Sequence, residues 1–156
     1  MNIFRVDNDP ILSAQMLCDK HIVKMPLETA QMLCSVWHRY NFGHLVTYKE
    51  AYKNHPCTRW VGDSKENYRW LVKHGMELCR EYTKRYGKIH KCQKVIKWIG
   101  ATPSFILDDK ATPQPQCMPD KYKVDNDVVL GYRNYYVGEN RFMPLWFFKK
   151  RRMINV

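Results

Sequence analysis

The stretch from Asp63 or Ser64 to Tyr86 constrains the fold more than any other in this chain. Tyr68, Leu71, Val72, Gly75, Leu78, Cys79 and Tyr82 recur at intervals of three, four and seven residues, the repeat of one face of an α-helix. Asp63 and Glu66 have capping-box spacing and Gly87 is a C-terminal stop, so both ends are marked chemically. The other faces carry Lys65, Arg69, Lys73, Arg80, Lys84 and Arg85, with Glu77 and Glu81 placed to pair some of them. A helix this long and one-sided must be the core helix of a domain. At 156 residues the chain fits one domain, and no second one is needed.

The remaining segments are read as elements packed around it. Asp9 followed by Pro10 is a helix start, because Asp accepts from orphan N–H groups and Pro at the first helical position loses no hydrogen bond. That helix runs through Cys18. Pro26 should then give a kink or a new helix start between Val23 and Pro26. Leu27, Ala30, Cys34 and Trp37 form the next apolar face, and Asn41-Phe42-Gly43 ends it. A turn is expected at Asn54-His55-Pro56, a helix over Lys88–Ile99 and a last helix over Asp125–Tyr136. Between these last two, residues 100–122 hold Pro103, Pro113, Pro115 and Pro119 and are read as a long ordered surface loop. The tail, residues 137–156, is aromatic and then basic. The fold class is therefore mainly α: a compact single-domain helical bundle, residues 1–156, with a proline-rich loop and a docked basic tail. There is no internal repeat and no glycine-rich phosphate loop.

Twenty-six Lys and Arg against 15 Asp and Glu give a formal charge of +11, which favours a polyanionic partner, with nucleic acid first. No apolar run approaches a membrane span, and MNIFRVDNDP does not read as a signal peptide. A soluble, intracellular monomer is expected, in the cytoplasm of a bacterial or infected host cell. The six cysteines show no CxxC pair and are read as reduced core thiols. None of the nearby Cys and His residues has the paired-ligand spacing of a standard zinc site, so no metal and no cofactor is expected.

Chemistry concentrates between Cys18 and His38. Asp19, Lys20, His21, Lys24 and Glu28 fall within eleven residues, beside Pro26, at the start of an apolar helix. Any one of them alone reads as a solvated charge, and Glu28 in a first helical turn is favoured by the dipole. Their density points to a reactive cluster. His55, held extended by Pro56, is a rigidly presented imidazole or a turn residue. In the tail, Lys149, Lys150, Arg151 and Arg152 follow Trp146, Phe147 and Phe148. Charges of this kind contact phosphates and rings stack on unpaired bases.

The order Asp19-Lys20-His21, Leu27-Glu28-Thr29-Ala30-Gln31, Asn54-His55-Pro56 with Arg59-Trp60, then Glu77-Leu78, Glu81 and Arg85-Tyr86-Gly87 resembles the landmarks of the pyrimidine-dimer DNA glycosylase family. The likeness covers roughly residues 1 to 90. The chain also resembles small phage-encoded proteins in its CDKH, NHPC and EYTKRYGK segments. The family resemblance implies an all-α domain that binds double-stranded DNA, flips a nucleotide and excises a damaged or modified pyrimidine. An amine attacks the sugar C1′, a Schiff base forms, and β-elimination can cut the strand. Glu28 matches the family's catalytic glutamate. The departure is at the N-terminus, where Asn2 is too large for Met1 removal to be expected, leaving Met1, Lys20 or Lys24 to supply the amine. In a monofunctional enzyme Glu28 or His21 would instead activate water. His55 and Arg59 would hold phosphate or the opposing strand, with Arg69 and Lys73 as further phosphate contacts. Trp60, like Trp37 and Trp70, would stack a base or belong to the core. Two other readings stay open: a non-enzymatic basic protein binding nucleic acid or a host factor, and a hydrolase or transferase acting on a nucleotide or modified base.

Overall fold

The computed structural model describes residues 1–141. The helices are α1 (Pro10–Gln15), α2 (Asp19–Arg39), α3 (Pro56–Asp63), α4 (Lys65–Tyr86), α5 (Gln93–Trp98) and α6 (Val128–Gly138), with single 3₁₀ turns at Gly43–Leu45 and Asp120–Tyr122. Among the described residues there is no strand, and no helix is long and apolar enough to cross a membrane. The tail residues Trp146, Phe147, Phe148 and Lys149 to Arg152 lie outside the described residues.

As its periodicity predicts, α4 is the centre, with α1, α2, α3 and α5 packed against it. Gly75 lets α2 come close: a Cβ there would lie 2.6 Å from Thr29 Cγ2. Gly87, at φ 69, ends the helix in the left-handed conformation that glycine adopts without a steric cost. The start differs from the capping-box reading. Asp63 is the last residue of α3 and pairs with Arg39 at 2.9 Å, while Ser64 is extended and its side chain accepts from Asn67 N. Two more orphan N–H groups of α4, those of Lys65 and Glu66, donate to the carbonyls of Asp108 and Asp109 in the proline-rich loop.

The extended residues Asn2 to Val6 divide the core. Ile3 packs with Met32, Leu33, Val61, Tyr68, Leu71 and Ile96, whereas Phe4 and Val6 pack with Leu17, Ile22, Leu78, Tyr132 and Tyr136. Successive extended side chains point to opposite sides, so a five-residue segment seals two apolar clusters.

Pro26 does not break the chain into two helices. Helix α2 is continuous through it, and Pro26 is buried in its interior. A proline disturbs the carbonyls of the preceding turn, and here one of them, Val23 O, accepts from His90 Nε2 at 3.0 Å. Helix α3, read from sequence only as a turn, exists because His55 serves as N-cap with Pro56 at the first position. Helix α5 starts five residues later than expected: His90 Nδ1 accepts from Cys92 N and holds the preceding segment in a turn. The proline-rich loop is ordered by Asn67, whose side chain bonds Thr112 N and Oγ1, and by Gln114, which donates to Ile3 O at 2.9 Å.

Candidate active site

Met1 is held in place by the residue after it. Asn2 Nδ2 donates to Cys117 O at 2.8 Å, while Asn2 Oδ1 accepts from Ile3 N at 2.8 Å and from the Tyr132 hydroxyl at 2.7 Å. With these bonds, and with Ile3 O fixed by Gln114, the terminus is bound into the core. The Met1 side chain is 1% exposed and its α-amine lies 2.9 Å from Glu28 Oε1. Glu28 projects from the third turn of α2, and its carboxylate is nearly withdrawn from water at 10% exposure. Lys24, one turn earlier, approaches Glu28 Oε2 at 3.7 Å, but its own side chain is 64% exposed. One carboxylate therefore faces the α-amine of a half-buried Met1 on one oxygen and a solvated ammonium on the other.

His55 completes the cluster. Its Nδ1 accepts from Cys57 N at 3.1 Å, so the neutral ring carries its proton on Nε2. Burial holds the imidazole below its ordinary titration range. The Met1 ammonium pushes the same way and Glu28 opposes it. Those last two causes place His55 in the electrostatic field of both site groups.

Other residues singled out from sequence fall elsewhere. His21 is 4% exposed, stacks on Phe4 with ring centroids 4.0 Å apart, and has Nδ1 2.6 Å from the Tyr136 hydroxyl. Desolvation first, then the charges of Arg141, Lys24 and Lys20, lower its pKa to about 3, so it is a neutral core residue at neutral pH. Lys20 is exposed on α2. Trp60 is buried and its Nε1 donates to Thr112 O at 2.8 Å, which removes its ring from any stacking surface. Trp37 is tied to the Tyr68 hydroxyl and Trp70 to Asn8 O. Arg69 pairs with Glu66 and lines, with Lys73, Arg5 and Trp70, a cavity of about 220 Å³. Arg59 lines a different cleft of about 280 Å³, next to Asn54, with Arg39, Lys53 and His38.

Asn2, Tyr132 and Cys117 were not singled out from the sequence as site residues. They carry no local signature, since their role lies in contacts between positions more than a hundred residues apart. Arg39 and Lys53 were likewise legible only as surface charge.

Three potential ligand atoms, from His55, Cys57 and Cys117, lie within 4.8 Å of one another, the one such group among the described residues. The ring has one lone pair in its neutral form, and the Cys57 N–H occupies it. Binding an ion through His55 would therefore cost the N-cap of α3.

A family model described as pyrimidine dimer DNA glycosylase matches residues 1–94, the span that holds Met1, Glu28, His55 and the whole of α4. No curated protein and no solved structure matches the chain.

Proposed function

This chain belongs to the pyrimidine dimer DNA glycosylase family, and we propose that it is a DNA glycosylase with abasic-site lyase activity whose nucleophile is the α-amine of a retained Met1. The observation that carries the reading is the 2.9 Å contact between that amine and the buried Glu28 carboxylate. Schiff-base chemistry requires a neutral amine, and α-amines as a class titrate about two to three units below lysine ammonium groups. The geometry favours Met1 over Lys24 for a second reason: the Met1 amine lies 2.9 Å from Glu28 Oε1, while Lys24 reaches the carboxylate only at 3.7 Å from a side chain 64% exposed.

The neutral amine attacks C1′ of the extrahelical nucleotide, forming a C–N bond as the glycosidic bond to the base breaks. Glu28 takes the proton that the amine gives up and stabilises the positive charge developing on the sugar. Ring opening gives the imine. Loss of the C2′ proton then allows elimination of the 3′-phosphate, which cuts the strand. His55, with Nε2–H free to donate and its charge suppressed, suits a contact to a sugar or phosphate oxygen without repelling the amine. The cleft of Arg39, Lys53 and Arg59, where Arg39 pairs with Asp63 and Lys53 with Glu50, keeps an excess of positive charge for the flanking backbone of double-stranded DNA.

The test is borohydride trapping on labelled duplexes containing an abasic site, a pyrimidine dimer or a modified pyrimidine, followed by peptide mapping of the linked residue. A covalent adduct mapped to Met1, lost when an uncleaved Gly-Ser extension precedes it, is the expected result. An adduct on Lys24 would move the nucleophile. Glycosidic cleavage, read as a new alkali-labile abasic site, without any adduct would make the enzyme monofunctional.

A further inference from the structure

The Cys57 and Cys117 sulfurs lie 3.5 Å apart, the one sulfur-to-sulfur contact among the described residues. Cys57 is fully buried in α3, and Cys117, in the loop sixty residues later, is partly exposed. The two peptide groups at Cys117 are bonded to the pair that seats the terminus: its N–H donates to the Tyr132 hydroxyl at 3.2 Å, and its carbonyl accepts from Asn2 Nδ2. Cys57 Sγ is itself 3.8 Å from Asn2 Oδ1. Neither thiol has a part in the glycosylase reading.

The environment gives the two sulfurs different protonation. The Cys57 thiol donates to Cys117, and that bond outweighs burial in bringing the Cys117 pKa down to about 7, helped by Lys123 and the Met1 ammonium. The same bond, with burial, pushes the Cys57 thiol up. A partly exposed thiolate beside a protonated, buried thiol is the arrangement in which one sulfur is oxidised and its neighbour resolves it.

We propose that Cys57 and Cys117 form a hydroperoxide-reactive dithiol that closes to a disulfide and thereby shifts Asn2, unseating the Met1 amine from Glu28. The Cys117 thiolate attacks one peroxide oxygen. An S–O bond forms, the O–O bond breaks, and the leaving hydroxide or alkoxide is protonated. Sulfur is oxidised by two electrons as the peroxide is reduced. Cys57 then attacks the Cys117 sulfenic acid, its sulfur displacing hydroxide, which leaves with the Cys57 proton as water. A dithiol reductant reverses the step by exchange. The sulfurs must close from 3.5 Å to a bond of about 2.05 Å. Helix α3 is anchored in the core and Cys117 is on a loop, so Cys117 moves and carries the carbonyl that holds Asn2. The chemistry of the pair stands apart from the glycosylase reading. Only an effect on turnover rests on it.

The experiment uses the full-length reduced protein, treated with a few equivalents of hydrogen peroxide at pH 7.5, alkylated, and mapped by mass spectrometry. In parallel, the rate at which formaldehyde and cyanoborohydride methylate the Met1 amine is followed. The expected result is a Cys57–Cys117 crosslinked peptide with the other four thiols still alkylated, and a methylation rate changed at least threefold and restored by dithiothreitol. Cys57→Ser should accumulate a dimedone-reactive sulfenic acid on Cys117. Cys117→Ser should show no peroxide-dependent change from its own untreated methylation rate. Crosslinks scattered over all six cysteines, thiols protected by a bound metal in the native mass, or a disulfide that leaves Met1 labelling unchanged would each overturn the proposal. These readouts need no DNA, so absence of both borohydride trapping and base excision in the reduced protein would sink the glycosylase reading and leave this one decided on its own data.

Discussion

Glu28 and Glu81 are both buried carboxylates on long helices, each with a cation one turn away, yet their surroundings differ. Glu81 accepts from Arg85 Nε at 3.0 Å, and Arg85 spreads its other donors over Leu17 O, Asp19 and Gln15 O. That guanidinium closes the C-terminal end of α1 onto the start of α2, and its donors are committed to permanent partners. Glu28 faces the Met1 α-amine at 2.9 Å and a lysine that reaches it only at 3.7 Å. Burial and pairing are common to the two sites. What separates scaffold from candidate chemistry is whether the cation is saturated by fixed acceptors or left with one reactive contact.

Five substitutions test that contrast, the largest first. Glu28→Gln should lower borohydride trapping by about 10²–10⁴-fold, the usual worth of a positioned proton-transfer group, with helix content by circular dichroism unchanged. A similar loss of unfolding free energy instead would make Glu28 scaffold. Arg85→Ala should do the reverse. Breaking a buried, multiply bonded pair costs about 3–5 kcal/mol in denaturant unfolding, while the trapping rate per folded molecule should stay within a few-fold.

Acid should weaken the scaffold through its buried histidines. His74, fully enclosed against Pro10 O and Trp70, has its pKa lowered by desolvation to about 4, and His21 sits at about 3. Because these folded values lie below the unfolded one, the unfolded chain binds more protons beneath about pH 6.5. Stability is complete above that pH and falls as pH drops toward 4. Between pH 7.5 and 5.0 His74 alone should remove about 2 kcal/mol. His74→Gln should flatten that slope in guanidinium unfolding at the two pH values.

The smallest effects concern how the amine is held. Asn2→Leu keeps Met1 but removes the bonds to Cys117 O and Tyr132, and should reduce trapping about tenfold, an expected loss of about 1.4 kcal/mol of positioning. Lys24→Ala should change it less than threefold, because exposed ion pairs contribute little. A larger drop at Lys24 than at Asn2 would reverse their ranking and return the nucleophile to α2.

Much of this was legible locally. The period of α4, the Gly87 stop, the Asp9-Pro10 start of α1 and the ordered proline-rich loop are each written in a few neighbouring residues, because helices and caps are short-range devices. The family was also legible, by an ordered set of landmarks over residues 1–94. Where the reading failed locally, a distant group intervened. Pro26 stays inside α2, with His90 meeting a carbonyl from the disturbed turn. Asp63 is drawn to Arg39, and Ser64 takes its place as cap.

The sequence alone determined a basic, helical chain with the ordered landmarks of its family. Only the tertiary structure decided which amine meets that glutamate, that His55 and not His21 shares its field, and that Cys117 lies against Cys57. The physical reason is range: periodicity and capping act over one or two helical turns. The seat of Met1 instead depends on Asn2 meeting Cys117 and Tyr132, each more than a hundred residues from it along the chain, and packing alone brings them together.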